Sequence, residues 1–225
     1  MRFIQKQPEP AAFTLWKQQA NADWQPTWDN FQKPEKAIVH QALIAEQGHI
    51  CCYCGQRITP ANSHIEHFQP RQRYLELHLD YTNLLASCPG YPEAEIPQPK
   101  QRHRPLQEFC GQQKGAWYDP QRTVSPLKAD CSTYFRYTAS GEILPTQDAS
   151  KKDAAQTTIE KLGLNHTKLN NLREAAIEGA LVDLEALTTE DIQKLIEGYD
   201  RPDQSGQYIP FCTAVIYTLQ QLCTN

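Results

Sequence analysis

The chain has 225 residues, 40% of them hydrophobic, and a net charge of −4. That is enough apolar material for one large domain with its own core, and no stretch has the composition of a disordered tail. The acidic balance speaks against a protein that grips nucleic acid through bulk positive charge.

The first ten residues, MRFIQKQPEP, hold no apolar h-region, and the longest apolar stretch, near Phe211 to Leu219, is far shorter than a membrane span. A cytoplasmic protein with no membrane partner is therefore expected. Residues 1–48 read as an N-terminal helical segment with two helices after residue 9. The second runs from Pro34 to Gln47, with Ile38, Ala42 and Ala45 at helical spacing and Gly48 as its stop. Trp16, Trp24 and Trp28 either form a partner-docking surface or pack in the core.

From His49 to about residue 120 the pattern changes to short strands, turns and clustered Cys and His. Eight cysteines in a cytosolic chain read as metal ligands and buried thiols rather than disulfides. Cys51 and Cys54 make a Cys-x-x-Cys knuckle closed by Gly55, and Cys88 and Cys110 are the candidate second pair. Four thiolates suit tetrahedral Zn²⁺, the staple that a small β-rich module needs. Cys52 is expected to be a bystander, and Cys131, Cys212 and Cys223 to be core residues. The stretch Pro89 to Pro105, with the basic run Lys100 to Arg104, reads as an exposed loop. From Arg57 to Arg122 eight basic residues face seven acidic ones, so a partner is expected to supply much of any substrate affinity.

The run His64-Ile65-Glu66-His67-Phe68-Gln69-Pro70 sets a carboxylate beside an imidazole. If the run is a strand, its neighbours point to opposite faces, and a bend near Pro70 is needed to aim Glu66 and His67 at one centre. Carboxylate oxygens suit Mg²⁺, and a neutral imidazole can deprotonate a water near neutral pH. His49, His78 and His103 are expected to be satisfied polar residues, as are His40 and His166 within helices.

Residues 121–148 are expected to form a β-hairpin extension, with Tyr134 to Thr138 and Glu142 to Leu144 flanking Ser140-Gly141. Residues 149–225 read as helical. Ser150 with Asp153 resembles a capping box, and Leu169, Leu172, Ala176, Ala180, Leu184 and Leu187 form an amphipathic stripe. Thr188 or Thr189 caps a helix carrying Ile192, Leu195, Ile196 and Tyr199. A last helix, from about Tyr208, carries Phe211, Val215, Leu219 and Leu222.

Together, Cys51-x-x-Cys54, Glu66-His67-Phe68-Gln69-Pro70, Asn83 to Cys88 and Cys110 to Gly115 resemble the HNH endonuclease pattern. More narrowly, the chain resembles the retron-associated HNH family that includes PtuB of Septu-type antiphage systems. Pro126-Leu127, Tyr134 to Tyr137 and Ala155 to Asn165 extend the likeness to about residue 175. The resemblance implies an α+β fold, a zinc-stabilised ββα-metal (HNH) core over residues 49–120 embedded in N- and C-terminal helices. It implies hydrolysis of phosphodiester bonds in DNA or RNA, transfer RNA included, with structural Zn²⁺ and catalytic Mg²⁺ or Mn²⁺. It makes His67 the general base, Glu66 a catalytic-metal ligand, Asn83 the residue that fixes the loop and orients His67 through a backbone hydrogen bond, and Cys51, Cys54, Cys88 and Cys110 the zinc ligands. Lys114, Arg71 and Arg73 would contact substrate phosphates. The implied partners are a PtuA-like ABC/SMC-type ATPase and a retron reverse transcriptase with its DNA–RNA product.

The chain departs from the pattern after its last knuckle cysteine. Where the family places His or Asn as a second metal ligand, it has Gly111, Gln112 and Gln113; Gln112 is the nominee and His64 the substitute. That departure leaves an alternative, a catalytically decayed zinc module that binds protein or nucleic acid.

Overall fold

The computed structural model describes residues 1–90, 108–182 and 187–223. The basic run Lys100 to Arg104, His103, Leu184 and the loop between residues 91 and 105 lie outside them. The described residues combine α-helices with two small antiparallel sheets, and no helix among them is long and apolar enough to cross a membrane.

Two helices open the chain, α1 (Ala11–Lys17) and α2 (Glu35–Glu46). Helix α2 buries Val39, Leu43 and Ile44, not the expected line of Ile38, Ala42 and Ala45; Ile38 is exposed. The larger aliphatic side chains remove more apolar surface from water, and they set the rotation of the helix. Trp16 is buried, and Trp24 and Trp28 pack against the same core as Phe13 and Phe31, which decides between core packing and a bare docking surface for Trp16. Gly48 ends α2 at φ +60°, and a Cβ there would lie 2.2 Å from the Tyr208 ring.

Strands β1 (His64–His67) and β2 (Leu84–Ser87) pair antiparallel, with His64 opposite Ser87 and His67 opposite Leu84. All four β2 residues are buried, as expected of a strand covered on both faces. Its backbone is completed by a side chain. The buried Gln47 amide accepts from Ala86 N–H (2.7 Å) and donates to Ala86 O (2.8 Å), so that α2 stands in for a strand edge. The short helix α3 (Cys110–Lys114) then packs below β1.

The second sheet is the hairpin expected around Ser140-Gly141, β3 (Phe135–Tyr137) with β4 (Ile143–Pro145). Helices α4 (Ala149–Lys161), α5 (Thr167–Leu181), α6 (Thr189–Tyr199) and α7 (Cys212–Cys223) follow. The cap of α4 is Asp148, which accepts from Ser150 N–H, and the expected Ser150–Asp153 box does not form because the helix already begins at Ala149, with the Ser150 hydroxyl donating back to Asp148. Thr188 and Asp191 do make a reciprocal capping box at α6.

Helix α5 corrects another expectation. Its buried line is Leu169, Arg173 and Ile177, whereas Leu172 and Leu187 are exposed and the helix stops at Leu181. A four-residue step carries the Arg173 stem into the core, where its guanidinium donates to the carbonyls of Gly141 and Leu164. Helix α7 starts at Cys212 rather than Tyr208, and Leu222 is exposed. Ile177, Ile192, Ile196, Val215 and Leu219 make a smaller core among α5, α6 and α7. The main core runs from Phe13 through the knuckle to Leu169.

Candidate metal and catalytic centre

The knuckle is a tight turn between Ile50 and Arg57, which form a single β-bridge. Cys51 and Cys54 are held there as Gly55 N–H closes on Cys51 O at 3.1 Å. Cys88 leaves the end of β2, and Cys110 opens α3 at φ +56°. The four Sγ atoms lie within 4.8 Å of one another, and those of Cys54 and Cys88 are 3.9 Å apart. A tetrahedral zinc with bonds of about 2.3 Å needs sulfurs about 3.8 Å apart, so the donor set fits. Cys88 N–H points at Cys51 Sγ (3.4 Å), the kind of donor that supports a thiolate. Burial pushes the thiols of Cys88 and Cys110 well up; at Cys51 burial also pushes up, but hydrogen bonds from the thiols of Cys110, Cys52, Cys54 and Cys88 outweigh it and hold Cys51 well down. A divalent cation is what allows four crowded sulfurs to be thiolates together. Cys52 is not one of the four clustered sulfurs; burial first and its side-chain hydrogen bond with Cys51 second push its thiol well up, so it stays neutral beside the cluster.

Immediately past the cluster, β1 carries the second group. The strand alternation puts His64 and Glu66 on the side facing α3. Glu66 is 8% exposed. Its Oε1 accepts from Lys114 Nζ at 2.8 Å and from the Tyr53 hydroxyl at 3.2 Å, and its Oε2 lies 3.7 Å from His64 Nε2. Burial and the Glu66 carboxylate hold the Tyr53 phenol well above its usual range, so it remains a donor. Gly111 is the residue of α3 that meets this pair. A Cβ there would stand 2.7 Å from Glu66 Oε2 and 3.0 Å from His64 Nε2.

His67 occupies the other side. Its Nε2 is 3.0 Å from His78 O, and its ring makes a T-shaped contact with Trp28, centroids 4.3 Å apart. A carbonyl only accepts, so Nε2 carries the hydrogen and Nδ1 keeps its lone pair. Burial lowers the His67 pKa below its ordinary value, opposed by the His78 carbonyl and the Glu66 carboxylate, which favours the neutral ring. Asn83 does not touch the imidazole. Its Oδ1 accepts from Gln69 N–H (2.8 Å) and its Nδ2 donates to Gln69 O (3.0 Å) and Leu77 O (3.3 Å). It thereby fixes the segment whose next residue, His78, aligns His67. The bend falls at Phe68–Gln69. Since β1 stays extended through His67, carboxylate and imidazole flank the strand end instead of sharing one face.

Lys114, expected at a substrate phosphate, is instead 3% exposed, with its ammonium held by Glu66 and by His67 O (2.9 Å). Helical rotation causes this: three residues beyond Gly111, its side chain returns to the β1 side. Replacing Lys114 with Met leaves the Glu66 carboxylate buried without its cation. Chemical denaturation is expected to show a loss of about 3–5 kcal/mol, and a loss below about 1 kcal/mol would contradict a structural ion pair.

Gln112 is exposed and lies over Gly90, away from Glu66. Arg73 donates to Tyr118 O at 3.0 Å, and Arg71 sits near Trp28 with Asp29 3.5 Å away. The site thus brings together His64, Glu66, Gly111 and Lys114 on one flank and His67, Trp28 and Arg71 on the other. Tyr53 and the His78 carbonyl gave no sequence signal, and Trp28 was marked only as a docking or core residue. A phenol beside a Cys knuckle and a carbonyl eleven residues downstream are ordinary until the chain folds.

No family model matches the chain. A curated relative from Vibrio cholerae serotype O1 biovar El Tor, named "Retron Vc95 putative HNH endonuclease", is 30% identical over 156 residues. The match covers 67% of this chain and 69% of the relative.

Proposed function

The chain belongs to the retron-associated HNH endonuclease family, and we propose that it is a metal-dependent endonuclease with a ββα-metal core formed by β1, β2 and α3. The observation that supports this best is the state of His67. A backbone carbonyl fixes one ring nitrogen as the donor and leaves the other able to take a proton.

In this reading a phosphodiester lies across the end of β1. His67 Nδ1 removes a proton from the attacking water, whose oxygen bonds to phosphorus as the P–O3′ bond breaks, and the departing 3′ oxygen takes a proton from solvent. Glu66 Oε2 and His64 Nε2 are the residues that would hold Mg²⁺ or Mn²⁺, in the space that Gly111 leaves by having no side chain. The cation, when bound, neutralises charge on the phosphorus oxygens and on the departing oxygen. Lys114 and Tyr53 occupy Oε1 and leave Oε2 for it. Gln112, exposed and turned away, does not serve, and the strand supplies through His64 what the helix lacks. Cys51, Cys54, Cys88 and Cys110 hold Zn²⁺ as a structural ion that fixes α3 against the sheet.

The retron association in the relative's name, together with the resemblance to PtuB, supports reading the protein as the effector nuclease of an antiphage complex of Septu type. A PtuA-like ABC/SMC-type ATPase, with a retron reverse transcriptase and its DNA–RNA product, would direct it to DNA or RNA, transfer RNA included. The decayed-module alternative rests on one feature, the lack of His or Asn after Cys110.

Incubating the protein, alone and with the ATPase, with labelled DNA and RNA separates the two readings. Cleavage is expected with Mg²⁺ or Mn²⁺, none with chelator, and a fall of 100-fold or more (about 10²) for Glu66→Gln and His64→Ala. Absence of cleavage under every condition, with nucleic acid still bound, would favour the decayed module.

A further inference from the structure

Beside His67 three side chains from distant parts of the chain meet around one ring. Lys36 Nζ, from the first turn of α2, stands 4.7 Å from the centroid of the Trp28 ring. The Arg71 guanidinium, just past the β1 bend, stands 5.9 Å from the same ring. That ring also makes a T-shaped contact with His67. The two cations are close enough to repel. Burial first and Arg71 second lower the Lys36 pKa, and Asp29 is the one carboxylate opposing them there. Asp29 is 92% exposed at its side chain and 3.5 Å from Arg71, so it neutralises little of the pair.

A pair of like charges held against an aromatic ring, with little compensation, is a place where an anion gains from both. A planar guanidinium and a flexible ammonium together suit a phosphate oxygen pair. We propose that Lys36, Arg71 and Trp28 form a clamp for a backbone phosphate of the polynucleotide, next to the bond that His67 would attack. The N-terminal segment is then part of the substrate surface, not only a support for the core. The clamp takes a phosphodiester of nucleic acid and reads no base, since both cations meet the backbone. It rests on the nuclease reading for what lies beside it, and it adds the binding register. It also accounts for an acidic chain holding nucleic acid, because a few converging cations suffice locally where net charge does not.

The test uses the full chain carrying His67→Ala, so that binding is read without cleavage. Fluorescein-labelled single-stranded DNA, duplex DNA and RNA of one length serve as probes, titrated at several salt concentrations. Lys36→Gln and Arg71→Gln are each expected to weaken binding severalfold and to lower the slope of log affinity against log salt by about one. Lys36→Arg should keep the slope. Unchanged slopes in both glutamine variants, or a parent that binds none of the three probes, would overturn the clamp. The two proposals fail separately. A wild-type chain that binds with these slopes yet never cuts would remove the nuclease and leave the clamp. Metal-dependent cutting with slopes indifferent to Lys36 and Arg71 would do the reverse.

Discussion

Removing the proposed structural zinc with a strong chelator is expected to unfold the region that spans the knuckle, β1, β2 and α3. The four cysteines come from three places, the knuckle turn, the end of β2 and the start of α3, and no disulfide ties them. Structural zinc in small modules contributes an apparent 10–16 kcal/mol, about as much as or more than the total stability of about 5–15 kcal/mol of a typical domain. The core here is continuous with the knuckle: Cys51, Cys88 and Cys110 lie in one buried cluster with Tyr53, Leu84 and Phe109. Losing the ion therefore propagates into the sheet. Metal analysis should find one zinc per chain in protein purified without chelator. Cys88→Ser should fall well below one and lose its cooperative thermal transition, whereas Cys52→Ser should keep both. A chelated protein with an unaltered transition would show that the four sulfurs are merely neighbours.

Replacing His67 with Ala is expected to lower kcat for nucleic-acid cleavage by about 10²–10⁴ while leaving affinity for nucleic acid close to that of the parent. Its ring is held by one hydrogen bond to His78 O and by the Trp28 ring. The substitution strands that carbonyl at a cost of about 1–3 kcal/mol, so the folded fraction is checked by circular dichroism at the assay temperature. A rate unchanged from the parent at equal folded fraction would remove His67 from the chemistry. Because Asn83 acts on the 69–78 segment rather than on the ring itself, its own replacement should cost less than that of His67.

The sequence was most informative where a local rule needs few partners. The hairpin at Ser140-Gly141 and the capping box of Thr188 depend on residues at most ten positions apart, and both form. The Cys-x-x-Cys spacing likewise marked two candidate ligands, and Cys88 and Cys110, the candidate second pair, join them in one cluster. The stripes were less legible. Sequence periodicity finds an amphipathic face but does not say which of two overlapping faces turns inward. In α2 the choice fell to Val39, Leu43 and Ile44, and in α5 the buried line includes Arg173, whose charge hides it from any hydrophobic pattern.

By itself, then, the amino-acid order determined the residue types and the spacing from which a thiolate metal site and a Glu-His pair can be assembled. Tertiary structure alone decided which groups meet. It buried Lys114 against Glu66, set Gly111 against Glu66 and His64, turned His67 toward His78 and Trp28, and carried Lys36 to Arg71. The reason is geometric. A strand sends successive side chains to opposite faces, and a helix turns each residue by about 100°. Convergence of distant groups depends on how those elements are packed, which local order does not encode.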